Sequence, residues 1–100
     1  MKIIQWLQKW YASNCNGEWE HLYNNVKIST LDNPGWFVEF NLIDTNLEEK
    51  EFNSLKIEIS ENNWIHCWVK DGIFKAAGGP NNLEEILVVF KEWTEQEKQT

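Results

Sequence analysis

The chain has 100 residues, 42% of them hydrophobic and 25% charged, and its sixteen acidic and nine basic side chains leave a formal charge of −7. This length fits one domain over residues 1–100 with one modest core, and with a composition so near the globular average neither disorder nor a membrane protein is the default reading. The negative charge disfavours direct binding to a phosphate backbone and favours a positively charged partner.

At the N-terminus, MKIIQWLQKWYASN is interrupted by Gln5, Gln8 and Lys9 before an apolar run reaches signal-peptide length. The expectation is a cytoplasmic protein with no membrane partner. Ile3, Ile4, Leu7, Trp10 and Tyr11 recur at intervals of three and four and predict a helix with one apolar face, Trp6 lying at its margin. Asn14, Asn16 and Gly17 supply the stop, so the reactive-looking stretch CNGEWEH, residues 15–21, begins at a helix end.

The middle of the chain changes to a period of two. Val26, Ile28 and Thr30 alternate with Lys27 and Ser29. Trp36, Val38, Phe40 and Leu42 alternate with Phe37, Glu39 and Asn41, and Leu55, Ile57 and Ile59 with Lys56 and Glu58. Three half-buried strands are predicted. LDNPGW between the first two contains four successive turn formers and predicts a hairpin. A longer polar connection, DTNLEEKEFN, leads to the third.

A fourth strand is expected over residues 64–70 and a fifth over 73–77, joined at Asp71-Gly72, a pair suited to a type I′ turn. After GGP, Asn82 followed by Glu85 resembles a capping box, and Leu83, Ile86, Leu87, Phe90 and Trp93 form the apolar face of a second helix. The last seven residues, TEQEKQT, are polar and expected to fray. The predicted fold is α+β: an antiparallel meander of about five strands flanked by an N-terminal and a C-terminal helix in two layers.

If both helices share one sheet face, Ile65, Cys67 and Val69 turn towards them and Trp64, His66 and Trp68 turn away, together with Phe37, Glu39, Lys56 and Glu58. Exposed aromatic rings among charges suit a protein-binding surface. The competing reading is that a helix or the 44–53 connection covers that face.

Chemical readings fare worse. Cys15, His21, His66 and Cys67 supply four donors of zinc type, but His66 and Cys67 are adjacent on a predicted strand and leave by opposite faces. Cys67 belongs to the core, and Cys15 has no basic cluster to activate it, so both are expected as free thiols without catalytic duty. Glu18 and Glu20 have no inferable sugar-binding frame, and GGPNN lacks the Walker spacing and lysine. No cofactor, no metal and no enzyme activity are expected.

Taken together and in order, WLQKWY, CNGEWEH, TLDNPGWFVEF, ENNWI and GGPNNLEEILVVFKEW resemble the immunity protein 53 family of bacterial polymorphic toxin systems. The resemblance runs from about Ile4 to Trp93. It implies a small cytoplasmic protein that neutralises a toxin by occlusion, in a class whose members often oppose nucleases. The alternative is a general protein-interaction module without a toxin partner. The face argument nominates Glu18, Glu20 and His21 as an acidic contact loop and Trp64, His66 and Trp68 as an aromatic contact face. Asp32 and Trp36 at the first hairpin are a further addition.

Overall fold

The computed structural model describes residues 2–22 and 24–96. Helix α1 spans Ile3–Asn14, a single 3₁₀ turn Trp19–His21 follows, and five strands come next: β1 Val26–Leu31, β2 Gly35–Asn41, β3 Leu55–Ser60, β4 Asn63–Lys70 and β5 Ile73–Gly78. Helix α2 spans Leu83–Glu95, so Thr94 and Glu95, expected to fray with the tail, belong to its last turn, and residues 97–100 of that tail lie outside the described residues.

All five strands are antiparallel in one sheet, in the order β1-β2-β5-β4-β3. The chain-order meander is thus divided into a β1–β2 hairpin and a β3–β4–β5 meander. The 42–54 connection carries the chain to the far edge, and the inner edge of β2 is taken by β5 instead of β3. Asp71 and Gly72 both adopt positive φ (54° and 76°), as a type I′ turn demands.

Register separates the two faces. One carries the rows Val26–Phe40–Phe74–Val69 and Ile28–Val38–Ala76–Cys67–Leu55. Phe40, Val38, Phe74, Ala76 and Cys67 are fully buried there, and both helices lie on them. Phe90 of α2 makes the join: its ring lies 4.5 Å from Phe40, 4.9 Å from Phe74, 5.0 Å from Trp10 and 5.9 Å from Trp6. Ring pairs at such separations add to the area they bury, so one aromatic node fixes sheet, α1 and α2 together.

The 42–54 connection closes the same side. Leu47 and Phe52 join the core, Phe52 packing edge-on to Phe74 and Trp93. The Lys50 ammonium donates to the carbonyls of Trp93 and Gln96 at 2.6 Å each, and the Trp93 indole N–H donates to the Glu51 carbonyl at 2.9 Å. A cation on the free carbonyls of a helix C-terminus is favourable, and this one ties the connection to α2.

Three of the segments that carry the family resemblance meet at the opposite end of the sheet. The Trp36 indole N–H donates to the Pro80 carbonyl at 2.9 Å, and the Gly79 N–H donates to the Trp64 carbonyl at 3.0 Å. Added methyls would collide at Gly35 with the Gly78 carbonyl, and at Gly79 with the Asn62 carbonyl (2.6 Å) and the Asn82 side chain (2.8 Å). Asn82 is the first residue before α2, but its side chain does not cap the helix. The side-chain amide donates to Asn63 Oδ1 and Glu85 Oε1, and Asn82 Oδ1 accepts from the Trp64 N–H at 3.4 Å. The predicted capping box is therefore a brace between α2 and the β3–β4 turn.

Strand β3 departs from its prediction. Its register with β4 slips by one between Glu58 and Ser60, leaving Ile59 without a partner and 71% exposed. Past Leu55 the strand is exposed throughout, including Ile57 at 39%. A bulge and charged residues are common ways to blunt a free sheet edge.

Truncating the aromatic node tests this arrangement. Phe90→Ala is expected to lower stability by about 3–5 kcal/mol, as large-to-small changes at fully buried aromatic positions do. Urea unfolding followed by far-UV circular dichroism measures it, and an exposed change such as Glu92→Ala serves as the control expected to move by less than about 0.5 kcal/mol.

Candidate functional site

CNGEWEH is a built loop. Asn16 Oδ1 accepts the N–H groups of Glu18 and Trp19, each at 3.0 Å. The Glu20 carboxylate accepts those of Asn16 and Gly17 at 3.0 and 2.8 Å. Gly17 sits at φ +93°, which a side chain would strain. Trp19 is 1% exposed and packs edge-on to Trp10 at 5.8 Å, which anchors the loop in the core. Two buried asparagines fasten it to the sheet: the Asn25 amide donates to the Trp19 carbonyl, and the Asn41 amide donates to Asn25 Oδ1.

This bonding divides the expected acidic contacts. Glu18 and His21 are exposed and project from the loop. Glu20 is half-buried and holds the loop closed. Its own backbone N–H and those of Gly17 and Asn16 favour the ionised form and hold its pKa below the ordinary glutamate value.

The loop shares its end of the sheet with carboxylates that come from elsewhere in the chain. The Leu42 N–H donates to the Gly72 carbonyl at 2.8 Å, bringing the start of the 42–54 connection against the β4–β5 turn. Asn41, at the end of β2, bonds back to Asn25 beside the loop. Glu18, Glu20, Asp44, Glu48, Glu49, Glu51 and Asp71 therefore collect at one pole, where Lys50 is already occupied by the end of α2. The acids of DTNLEEKE and Asp71 were not among the expected contacts. Their clustering depends on where a connection folds, which periodicity does not encode.

Asp32 is exposed and lies in the β1–β2 turn at the other end. Trp36 is half-buried on the helix-bearing face, with its indole committed to Pro80. These two stand apart from both the acidic pole and the aromatic face.

Trp64, His66 and Trp68 lie on the face away from the helices, each half-buried. The His66 and Trp68 rings are 4.6 Å apart, and Phe37 reaches Trp68 from β2 at 6.4 Å. Both helices and the 42–54 connection pack on the other side, so among the described residues no element covers this face. Cys67 points into the core, where burial pushes its thiol up to about 12, while Cys15 is half-buried with its thiol near the Tyr11 carbonyl; both are free thiols. Among the described residues no group of three His, Cys, Asp or Glu side chains could hold a metal ion.

The family profile described as immunity protein 53 matches residues 4–95. The chain belongs to the immunity protein 53 family. No curated protein and no solved structure matches it. An immunity protein has a toxin as its general partner.

The loop's bonding predicts a pH response. Because the Glu20 pKa is depressed, its contribution is present above the ordinary glutamate range and is lost as pH falls through the lower folded value. The Asn16 and Gly17 amide resonances should shift in that acid range, and Glu20→Gln should abolish the shift while leaving the sheet amides unmoved.

Proposed function

We propose that this immunity protein acts in the cytoplasm by binding a toxin domain and occluding its working surface, with the acidic pole as the side that meets the toxin. The toxin surface it fits is basic, such as the substrate groove of a nuclease. The observation that carries this reading is the gathering of Glu18, Asp44, Glu48, Glu49, Glu51 and Asp71 around one end of the sheet in a member of this family. Inhibition is by stoichiometric binding and requires no catalytic step. Facing a basic groove, such a pole raises the association rate through long-range attraction, an effect screened beyond about 8 Å at physiological salt.

No described helix is long and apolar enough to cross a membrane. The Glu20 carboxylate is spent on its own loop, so Glu18 and Glu49, both exposed, are the informative positions.

Co-expression with the product of the adjoining gene, scored for rescue of growth, tests the toxin partnership. With that toxin purified, Glu18→Lys combined with Glu49→Lys is expected to slow association about tenfold or more at low salt and to flatten its salt dependence, with the circular dichroism spectrum unchanged. Full rescue and an unaltered association rate in the double variant would remove the pole from the interface.

A further inference from the structure

The overall charge of −7 hides a segregation that the register exposes. Among the described residues, the strands of the bare sheet face carry Lys27, Lys56, Lys70 and Lys75 but only two carboxylates, Glu39 and Glu58. Both of those acids face a lysine on the same surface: Glu39 lies 3.9 Å from Lys75, and Glu58 lies 3.4 Å from Lys56. Lys27 and Lys70 make no salt bridge among the described residues, and the face has a positive balance.

The rings run between these cations. Trp64, His66 and Trp68 occupy alternate positions of β4, about 7 Å apart at strand spacing. In one cross-strand row Trp68 is followed by Lys75, Glu39 and Lys27, and in the next Lys56, His66, Ala77 and Phe37 succeed one another. The acids of α2, Glu84, Glu85, Glu92 and Glu95, lie beyond the sheet and the helix, whose own diameter is about 10 Å. Salt screens charge over about 8 Å, so the acids of α2 contribute little at this face; Asp71 follows Lys70 at one end and Glu61 shares a recess with Trp64 at the other, and the positive balance belongs to the ground between them, around Lys27, Lys75 and Lys56.

We propose that the bare face of the sheet binds single-stranded nucleic acid, the bases resting on Trp64, His66, Trp68 and Phe37 and the phosphates on Lys27, Lys70 and their neighbours. An antiparallel sheet face with half-buried rings and flanking cations fits unpaired bases, which offer a π-face to stack and a chain of phosphates to neutralise. Duplex does not fit, because its bases are already stacked on one another. The surface adjoins the acidic pole where Lys70 meets Asp71 but is built from other residues, and the proposal stands or falls independently of the toxin partner.

Fluorescein-labelled oligothymidylate, titrated with the whole protein and followed by anisotropy and tryptophan quenching, tests it. Saturable binding is expected at low salt, weakening with a log–log slope of about −1.4 to −2.8 if two to four lysines release counterions. Lys27→Glu with Lys70→Glu should weaken binding about tenfold or more and reduce that slope. Trp68→Ala should weaken it about fivefold or more and diminish the quenching. Glu18→Lys with Glu49→Lys, on the acidic pole, should not weaken it. If the lysine variants fail to fold, an abasic oligonucleotide of equal length decides the matter on the native protein: stacking predicts that it binds much more weakly. Absence of saturable binding at low salt, equal affinity for abasic or duplex DNA, or equally effective displacement by polyglutamate would overturn the proposal, the last indicating an acidic protein partner.

Discussion

The organisation of the molecule depends on Phe90. Its ring touches Phe40 and Phe74 from the sheet and Trp6 and Trp10 from α1, so both helices are bound to the same sheet face through one buried group. Each helix has a single apolar stripe, and once both are spent on one face, nothing comparable is left to close the other. Half-exposed rings on the far side are therefore a consequence of how the core is built. Of the seven tryptophans, Trp10, Trp19 and Trp93 are buried in the core, and Trp6, Trp36, Trp64 and Trp68 are half-buried, the last two on the open face.

The segments most characteristic of the family are accounted for by packing. LDNPGW, ENNWI and GGPNNLEE converge where Gly35 lies against Gly78, Gly79 against Asn62, and Asn82 braces the β3–β4 turn. Glycine is required there because backbones approach too closely for a side chain. Trp36 and Asn82 are likewise used up by internal hydrogen bonds. Even within NGEWEH, Asn16, Trp19 and Glu20 serve the loop itself, and Glu18 and His21 are left over. In this chain much of what carries the resemblance is spent on internal contacts and is not free to meet a partner.

Local patterns in the chain were sufficient for both helices, all five strands, the type I′ turn and the separation of Cys67 from His66, because each is decided within a few residues by period or turn chemistry. The position of β5 between β2 and β4 was not legible, since the choice of neighbour is made between segments more than thirty residues apart. Ile59 fits the alternation in sequence, but the bulge takes it out of register. Asn82 and Glu85 have capping-box spacing, and only the nearness of the β3–β4 turn reveals the other use of the amide. The net charge says nothing of where charges gather: Lys27, Lys56, Lys70 and Lys75 lie on the open face, and the acids of the 42–54 connection lie at one end of the sheet.

The strand order also governs when a newly made chain can become useful. The β1–β2 hairpin is complete by residue 41, but the strand that joins it to the rest of the sheet ends at Gly78. During synthesis at ordinary rates of 5–20 residues per second, the hairpin waits a few seconds with its inner edge unpaired. Helix α2, which brings Phe90, arrives later still. A chain cut short before that point keeps its acidic residues up to Asp71 but has no frame to hold them together. The acidic pole is therefore assembled all at once, when α2 has been made and Phe90 can join the sheet to α1.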